Sequence, residues 1–244
     1  MNIAISSGHG LHVRGARSII DEVEEARRVT NRVAEILANS GFATVMVFHE
    51  NSARTQNDNV NAIIRHHNGQ IRDLDVSVHF NSTATGLVED RNIGVEVLFL
   101  TGNTQTRALA GKVARAISSA SGLLLRHQRE SGAVARNNLG FLTRTTAPSI
   151  LIEVCFVNSR RDVALYQGNF ENICHSIAEA ISGQSILMQE AEAIFPLGNM
   201  PSLWAKESWK WGLTNGITDG TNPQGLPTRE QLIQLLFNYH NTML

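Results

Sequence analysis

The chain predicts an α/β fold, a mostly parallel sheet with helices on both faces. Short apolar runs recur, amphipathic helical segments alternate with them, and most of the runs are apolar nearly throughout, as strands covered on both faces should be. The runs are Asn2–Ser6, Ala43–His49, Asp75–Phe80, Gly94–Leu100 and Ser149–Val154, each bounded by polar residues or glycine. After the first, Val29, Val33, Ile36 and Leu37 recur at helical spacing, so a helix is predicted over Glu22–Asn39, with Gly41 just past its end. The same periodicity predicts helices over Asn59–His67, Thr104–Ser119 and Phe170–Ser182, and a shorter one over Asp162–Tyr166. Sheets of this kind bind ligands at the carboxyl ends of their strands.

The pattern breaks after Ser182. Residues 183–200 are of mixed polarity and end in Pro-Leu-Gly-Asn-Met, which reads as a linker. Residues 201–244 read as a small helical hairpin: a helix near Ser202–Asn215, a turn-rich stretch, and a second helix behind the cap Thr228. The hairpin holds all three tryptophans, Trp204, Trp209 and Trp211, and is too small to bury much core alone. Wall binding and self-association are both open to it.

Lys and Arg number 21 against 22 Asp and Glu, a net charge of −1, so the balance disfavours a nucleic-acid or other polyanionic partner. Cys155 and Cys174 are expected as buried thiols, because two cysteines make no disulfide framework in a chain this long. There is no basic segment followed by a long apolar stretch at the start and no run long enough to cross a bilayer, so synthesis in the cytoplasm without a signal peptide is expected.

Three side chains share one kind of position. His9 follows the first strand inside Ser6-Ser7-Gly8-His9-Gly10, His79 stands near the end of the third, and Glu153 interrupts the apolar last run. Imidazoles and carboxylates converging at strand ends are what a catalytic zinc site requires, since zinc takes neutral imidazole nitrogen and carboxylate oxygen and keeps a position open. Each position also has a plainer reading, as a turn or a hydrogen-bonded core residue. Glu153 is the hardest to read that way, because a carboxylate among Leu151, Ile152, Val154, Cys155 and Phe156 is expensive to bury without a partner. For a third ligand, Asp21, Glu22, Glu24 and Glu25 all stand at the start of the first helix, where the helix dipole also favours them.

Taken together, the segments Ser6–Gly10, Asp75–Ser82, Gly94–Phe99 and Ala147–Asp162 resemble the zinc-dependent N-acetylmuramoyl-L-alanine amidases of the Amidase_3 type, found in bacterial autolysins and phage endolysins. The resemblance covers roughly residues 1–182 and implies a zinc amidase catalytic domain there. It matches His9 and His79 to two zinc ligands and Glu153 to the catalytic carboxylate. Counting back from Gly41 with Val29, Val33 and Leu37 as the buried face, Glu22 falls where the family's glutamate ligand stands, whereas Glu24 or Glu25 needs a shifted helix. Two departures are visible: Ala26 stands where the family often has Asn, and Ser6, Ser7 and Leu11 replace residues of its Asp-Pro-Gly-His-Gly-Gly motif.

The activity so implied is cleavage of the amide between N-acetylmuramic acid and L-alanine in peptidoglycan, causing cell-wall lysis after release from the cell that made the protein, as by a phage endolysin. The same chemistry would serve a zinc peptidase cutting another peptidoglycan amide, and a chain that kept only the fold would be an inactive wall-binding protein. The loops Asn81–Asn92 and Arg126–Leu139 are expected to line the groove, with Arg136 and Asn138 as candidates for holding peptide carboxylates or carbonyls. The hairpin resembles a single, short S-layer-homology-like segment.

Overall fold

The computed structural model describes residues 1–186 continuously and, beyond them, 201, 205–214, 217, 218, 228–230, 232, 233 and 237. Six strands form one sheet: β1 (Asn2–Ser7), β2 (Thr44–Phe48), β3 (Leu74–Asn81), β4 (Glu96–Leu100), β5 (Ala133–Arg136) and β6 (Ser149–Phe156), in the order β2-β1-β3-β6-β4-β5. All neighbours are parallel except β4 and β6, which run antiparallel. The reversal has a consequence for the site: the first residue of β4, Glu96, lies at the edge where β1, β3 and β6 end.

The helices are α1 (Glu22–Asn39), α2 (Gln56–Asn68), α3 (Thr104–Ser121), α4 (Gly140–Arg144), α5 (Arg160–Gly168) and α6 (Phe170–Ser182). Side chains of Asp21, Thr55, Asn103 and Ser159 cap α1, α2, α3 and α5 by accepting a backbone N–H of the first turn. The strand and helix ranges read from periodicity are reproduced to within a few residues. Two short elements, β5 and α4, were not legible there, since Ala133–Arg136 and Gly140–Arg144 are shorter than the period that would announce them.

The two faces of the sheet are unequal. Ile3, Ile5, Val76, Val78, Val97, Ile150 and Ile152 point to one side, where they pack with residues of α1, α3 and α6 into the main core. Leu98, Val134 and Leu151 point to the other and meet Ile63 of α2 with Phe141 and Leu142 of α4 in a much smaller cluster. Alternation along a strand therefore sends Asp75, Ser77, His79, Glu96 and Glu153 to the lightly covered side.

The chain divides into two compact units, Met1–Ile186 and Leu187–Leu244. In the second, a helix α7 spans Lys206–Thr214, within the range expected for the first helix of the hairpin, and Trp211 is exposed on it. The second hairpin helix behind Thr228 and most of the expected linker 183–200, from 187 on, lie largely outside the described residues. Cys155 and Cys174 are buried free thiols. No helix among the described residues is long and apolar enough to cross a membrane.

Candidate metal centre

The turn after β1 is set by close approach. Gly8 N–H still donates to Val78 O at 2.9 Å, holding the backbone beside β3, and a Cβ on Gly8 would lie 1.8 Å from Nε2 of His79. Only glycine lets the chain pass there. His9 then turns back across the strand end, and its ring meets that of His79 edge to face with centroids 5.1 Å apart. The turn is braced from outside by Ser7, whose Oγ lies 2.9 Å from Nδ1 of His49, while Nε2 of that ring lies 2.9 Å from Oδ1 of Asn31. Burial, with Arg27 nearby, pushes His49 down to about 4, so at neutral pH it is an uncharged bracket.

Glu22 arrives from the first turn of α1. Its side chain is 4% exposed; Oε1 lies 3.0 Å from His79 Nδ1 and 3.6 Å from His9 Nε2, and accepts the Phe80 N–H at 3.2 Å. Oε2 accepts the Ala16 N–H at 2.6 Å. The loop before α1 is shaped to allow this: Gly15 has φ +67°, and a Cβ there would come within 2.3 Å of Oε2. The other two acidic residues of the turn look elsewhere. Glu24 pairs with Arg14 at 2.5 Å and is 60% exposed, while Glu25 accepts from Tyr166 Oη and pairs with Arg28.

His9, Glu22 and His79 thus bring one ligand atom each to within 4.8 Å of one another, from three different elements. Their protonation follows from this packing. Burial works against ionised Glu22, but the hydrogen bond and charge of His79 outweigh it and hold the carboxyl below its ordinary range. Burial likewise opposes protonated His79, and Glu22 outweighs it, so that ring is shifted up. His9 is shifted down by burial and by His79, which favours the neutral imidazole a metal needs.

Glu153 stands in register with His79 on the adjacent strand, so the two side chains share one face of the sheet. Its Oε2 is buried with no hydrogen-bond partner among the described residues. Burial raises its pKa to about 7; the charge of His79 opposes the rise, and those of Glu22 and Glu96 add to it. An orphaned buried carboxylate oxygen is an arrangement that stable cores avoid. Two imidazoles and a carboxylate, with His9 Nδ1 also unpartnered, form a mixed nitrogen and oxygen set that suits zinc with a position left for water.

The structure moves one expectation and adds one residue. Arg136 pairs with Leu100 at the end of β4 remote from Glu96, so it stands at the opposite edge of the sheet from His9, Glu22 and His79. Glu96, which periodicity treats as an interruption of an apolar strand, is 4% exposed and directly opposite Glu153 in the antiparallel pair. Its signal was present, since a carboxylate inside the run Gly94–Leu100 demands a partner, but the partner lies on a loop 30 residues further on.

Comparison with known proteins bears on the fold and the family. An uncharacterised protein of Clostridium perfringens is 27% identical over 207 residues, an alignment covering 84% of this chain and 58% of that protein, so the chain spans little more than half the relative's length. The catalytic domain of the CD27L endolysin targeting Clostridia difficile superposes with a TM-score of 0.63 at 20% identity, covering 76% of this chain and 99% of that one. An N-acetylmuramoyl-L-alanine amidase from Clostridium difficile 630 gives the same TM-score and identity over 75% of this chain and 95% of its own. The family model for N-acetylmuramoyl-L-alanine amidase matches residues 3–183, most of the chain, and the protein belongs to that family.

Proposed function

We propose that the chain is a zinc-dependent amidase that cuts the bond between N-acetylmuramic acid and L-alanine in peptidoglycan. One observation carries this reading: His9, Glu22 and His79 converge beside a glutamate whose buried Oε2 has no partner among the described residues, in a chain of that amidase family. His9, Glu22 and His79 would hold the metal. Zinc bound by three protein groups supplies Lewis acidity toward a water and the scissile carbonyl, which makes hydrolysis available near pH 7. Glu153 does the proton work. Held in register with His79, it takes a proton from the attacking water and passes it to the departing nitrogen. Glu22 has a second duty, since its bonds to the Ala16 and Phe80 N–H groups lock the loop before α1 against the end of β3.

In this reading residues 1–182 are the catalytic domain, 183–200 a linker and 201–244 a module that binds the wall, with the exposed Trp211 as a carbohydrate contact; a self-association role is the other outcome for it. Cleavage separates glycan from peptide and so lyses the wall, after release of the protein from the cytoplasm. The test is incubation of purified peptidoglycan with the protein and zinc. New L-alanine amino termini are expected, and Glu153→Gln should lower their rate by about 10²–10⁴-fold while zinc stays bound. New D-amino-acid ends would identify a peptidase instead, and an intact wall with zinc bound would leave a binding protein.

A further inference from the structure

His79, Glu153 and Glu96 form a row across three adjacent strands on one face of the sheet, because His79 pairs with Glu153 and Glu153 with Glu96. Strand spacing makes that row about 10 Å long. Glu96 ends it and is fully engaged: Oε1 accepts from Asn81 Nδ2 at 2.9 Å, and Oε2 lies 3.0 Å from both Arg126 Nε and His127 Nε2. Arg126 is gripped twice. Besides the Nε contact, its guanidinium lies 4.7 Å over the ring of Phe156, and its backbone N–H donates to Val95 O at 3.1 Å, fixing the loop beside β4. Its Nη groups make no hydrogen bond among the described residues, and the side chain keeps 30% of its surface exposed.

A guanidinium anchored through Nε and stacked on a ring presents its two remaining amino groups as a rigid fork, the geometry that takes a carboxylate bidentately. Glu96 supplies the anchoring charge from inside, so the fork needs no other protein anion. If the amidase reading of the preceding section holds, on which this inference rests, charge selects the half of the substrate that reaches the fork. The N-acetylated sugars on one side of the scissile amide are neutral, whereas the stem peptide on the other carries carboxylates. An extended peptide advances about 3.3–3.6 Å per residue, so a row of about 10 Å brings one of the first few stem residues level with Arg126. We propose that Arg126, braced by Glu96 and Phe156, is a specificity residue of this site and receives a free carboxylate of the stem peptide.

The test uses the full chain with zinc and two soluble muropeptides that differ only in whether the stem-peptide carboxylate near the cut is free or amidated. The unmodified protein should show a KM about tenfold lower for the free acid, the size expected of a charged hydrogen-bonded pair. In Arg126→Gln that difference should vanish, with kcat on both substrates within about twofold of the unmodified protein. Arg126→Lys, which keeps the charge beside Glu96 but not the fork, should lose most of the preference and serves if the Gln variant does not fold. Equal KM values in the unmodified protein would overturn the proposal. So would an Arg126→Gln variant that loses kcat equally on both substrates, since that marks a brace for Glu153 instead. Binding of the two free stem peptides, followed by NMR titration, separates the two readings. If neither muropeptide is cut while the acid peptide still binds tighter, the amidase reading fails and the carboxylate site stands.

Discussion

Two histidine and carboxylate clusters lie on the same lightly covered face of the sheet, and they are built to opposite ends. In the inner one, His67 of α2 lies 2.8 Å from Asp75 through Nδ1 and 3.0 Å from Ser6 Oγ through Nε2, and Arg72 grips Asp75 with Nε at 2.8 Å and Nη2 at 2.9 Å. Both imidazole nitrogens and both carboxylate oxygens are used. In the outer one, at the strand ends, Glu22 Oε1 lies 3.0 Å from His79 Nδ1, but His9 Nδ1 and Glu153 Oε2 are buried without a hydrogen-bond partner among the described residues. The same residue types therefore serve two purposes, and satisfaction of their hydrogen bonds tells them apart. The inner cluster joins α2 to β1 and β3. The outer one leaves two buried polar atoms unpaired among the described residues.

That contrast can be broken by substitution. The largest effect is expected from Glu22→Ala, which removes one of three donors. Zinc affinity should fall by more than the roughly 10–100-fold typical of losing an outer partner, while Glu24→Ala leaves zinc content unchanged; metal analysis after dialysis reads both. A Glu24 variant that loses zinc would show that a different face of α1 supplies the ligand. Next comes Asp75→Ala, which strands Arg72 and His67 inside the protein. It should lower stability by about 3–5 kcal/mol, measured by urea unfolding, with zinc binding retained by the folded fraction. If Asp75→Ala instead removed zinc without destabilising the fold, the two clusters would be one functional unit.

The smallest effect is a pH dependence that sharpens the division. Burial alone would raise Asp75, but His67 and Arg72 hold its pKa below the ordinary value of 3.8. A carboxyl whose folded pKa is depressed contributes stability that is present above its unfolded pKa and lost as the pH falls through the folded one. Unfolding followed from pH 7 downward should therefore show a loss beginning near 3.8 that is shallower in Asp75→Asn. An unchanged acid limb in that variant would mean that other carboxylates govern acid unfolding.

Much of this was legible in the chain because it rests on local pattern. The runs Asn2–Ser6 and Ser149–Val154 read as strands because apolar residues fill both faces, and Glu22–Asn39 as a helix because Val29, Val33 and Leu37 recur at its period. His9 and Glu153 stood out because a residue that interrupts or closes an apolar run must be satisfied or used. The choice among Glu22, Glu24 and Glu25 was harder. Helical phase pointed to one of them, but only the packed turn shows Glu22 buried against His79 while Glu24 faces solvent with Arg14.

What the sequence determined by itself is therefore the longer elements and the chemistry at their ends, since both depend on residues near one another along the chain. What only the tertiary structure decided is which ends meet. The order β3-β6-β4 and the antiparallel placement of β4 bring Glu96 beside Glu153, and a loop 30 residues beyond Glu96 brings Arg126 to it. The same arrangement carries Arg136 to the far edge. No local periodicity encodes such neighbours, because strand order is set by how the whole sheet buries its two unequal faces.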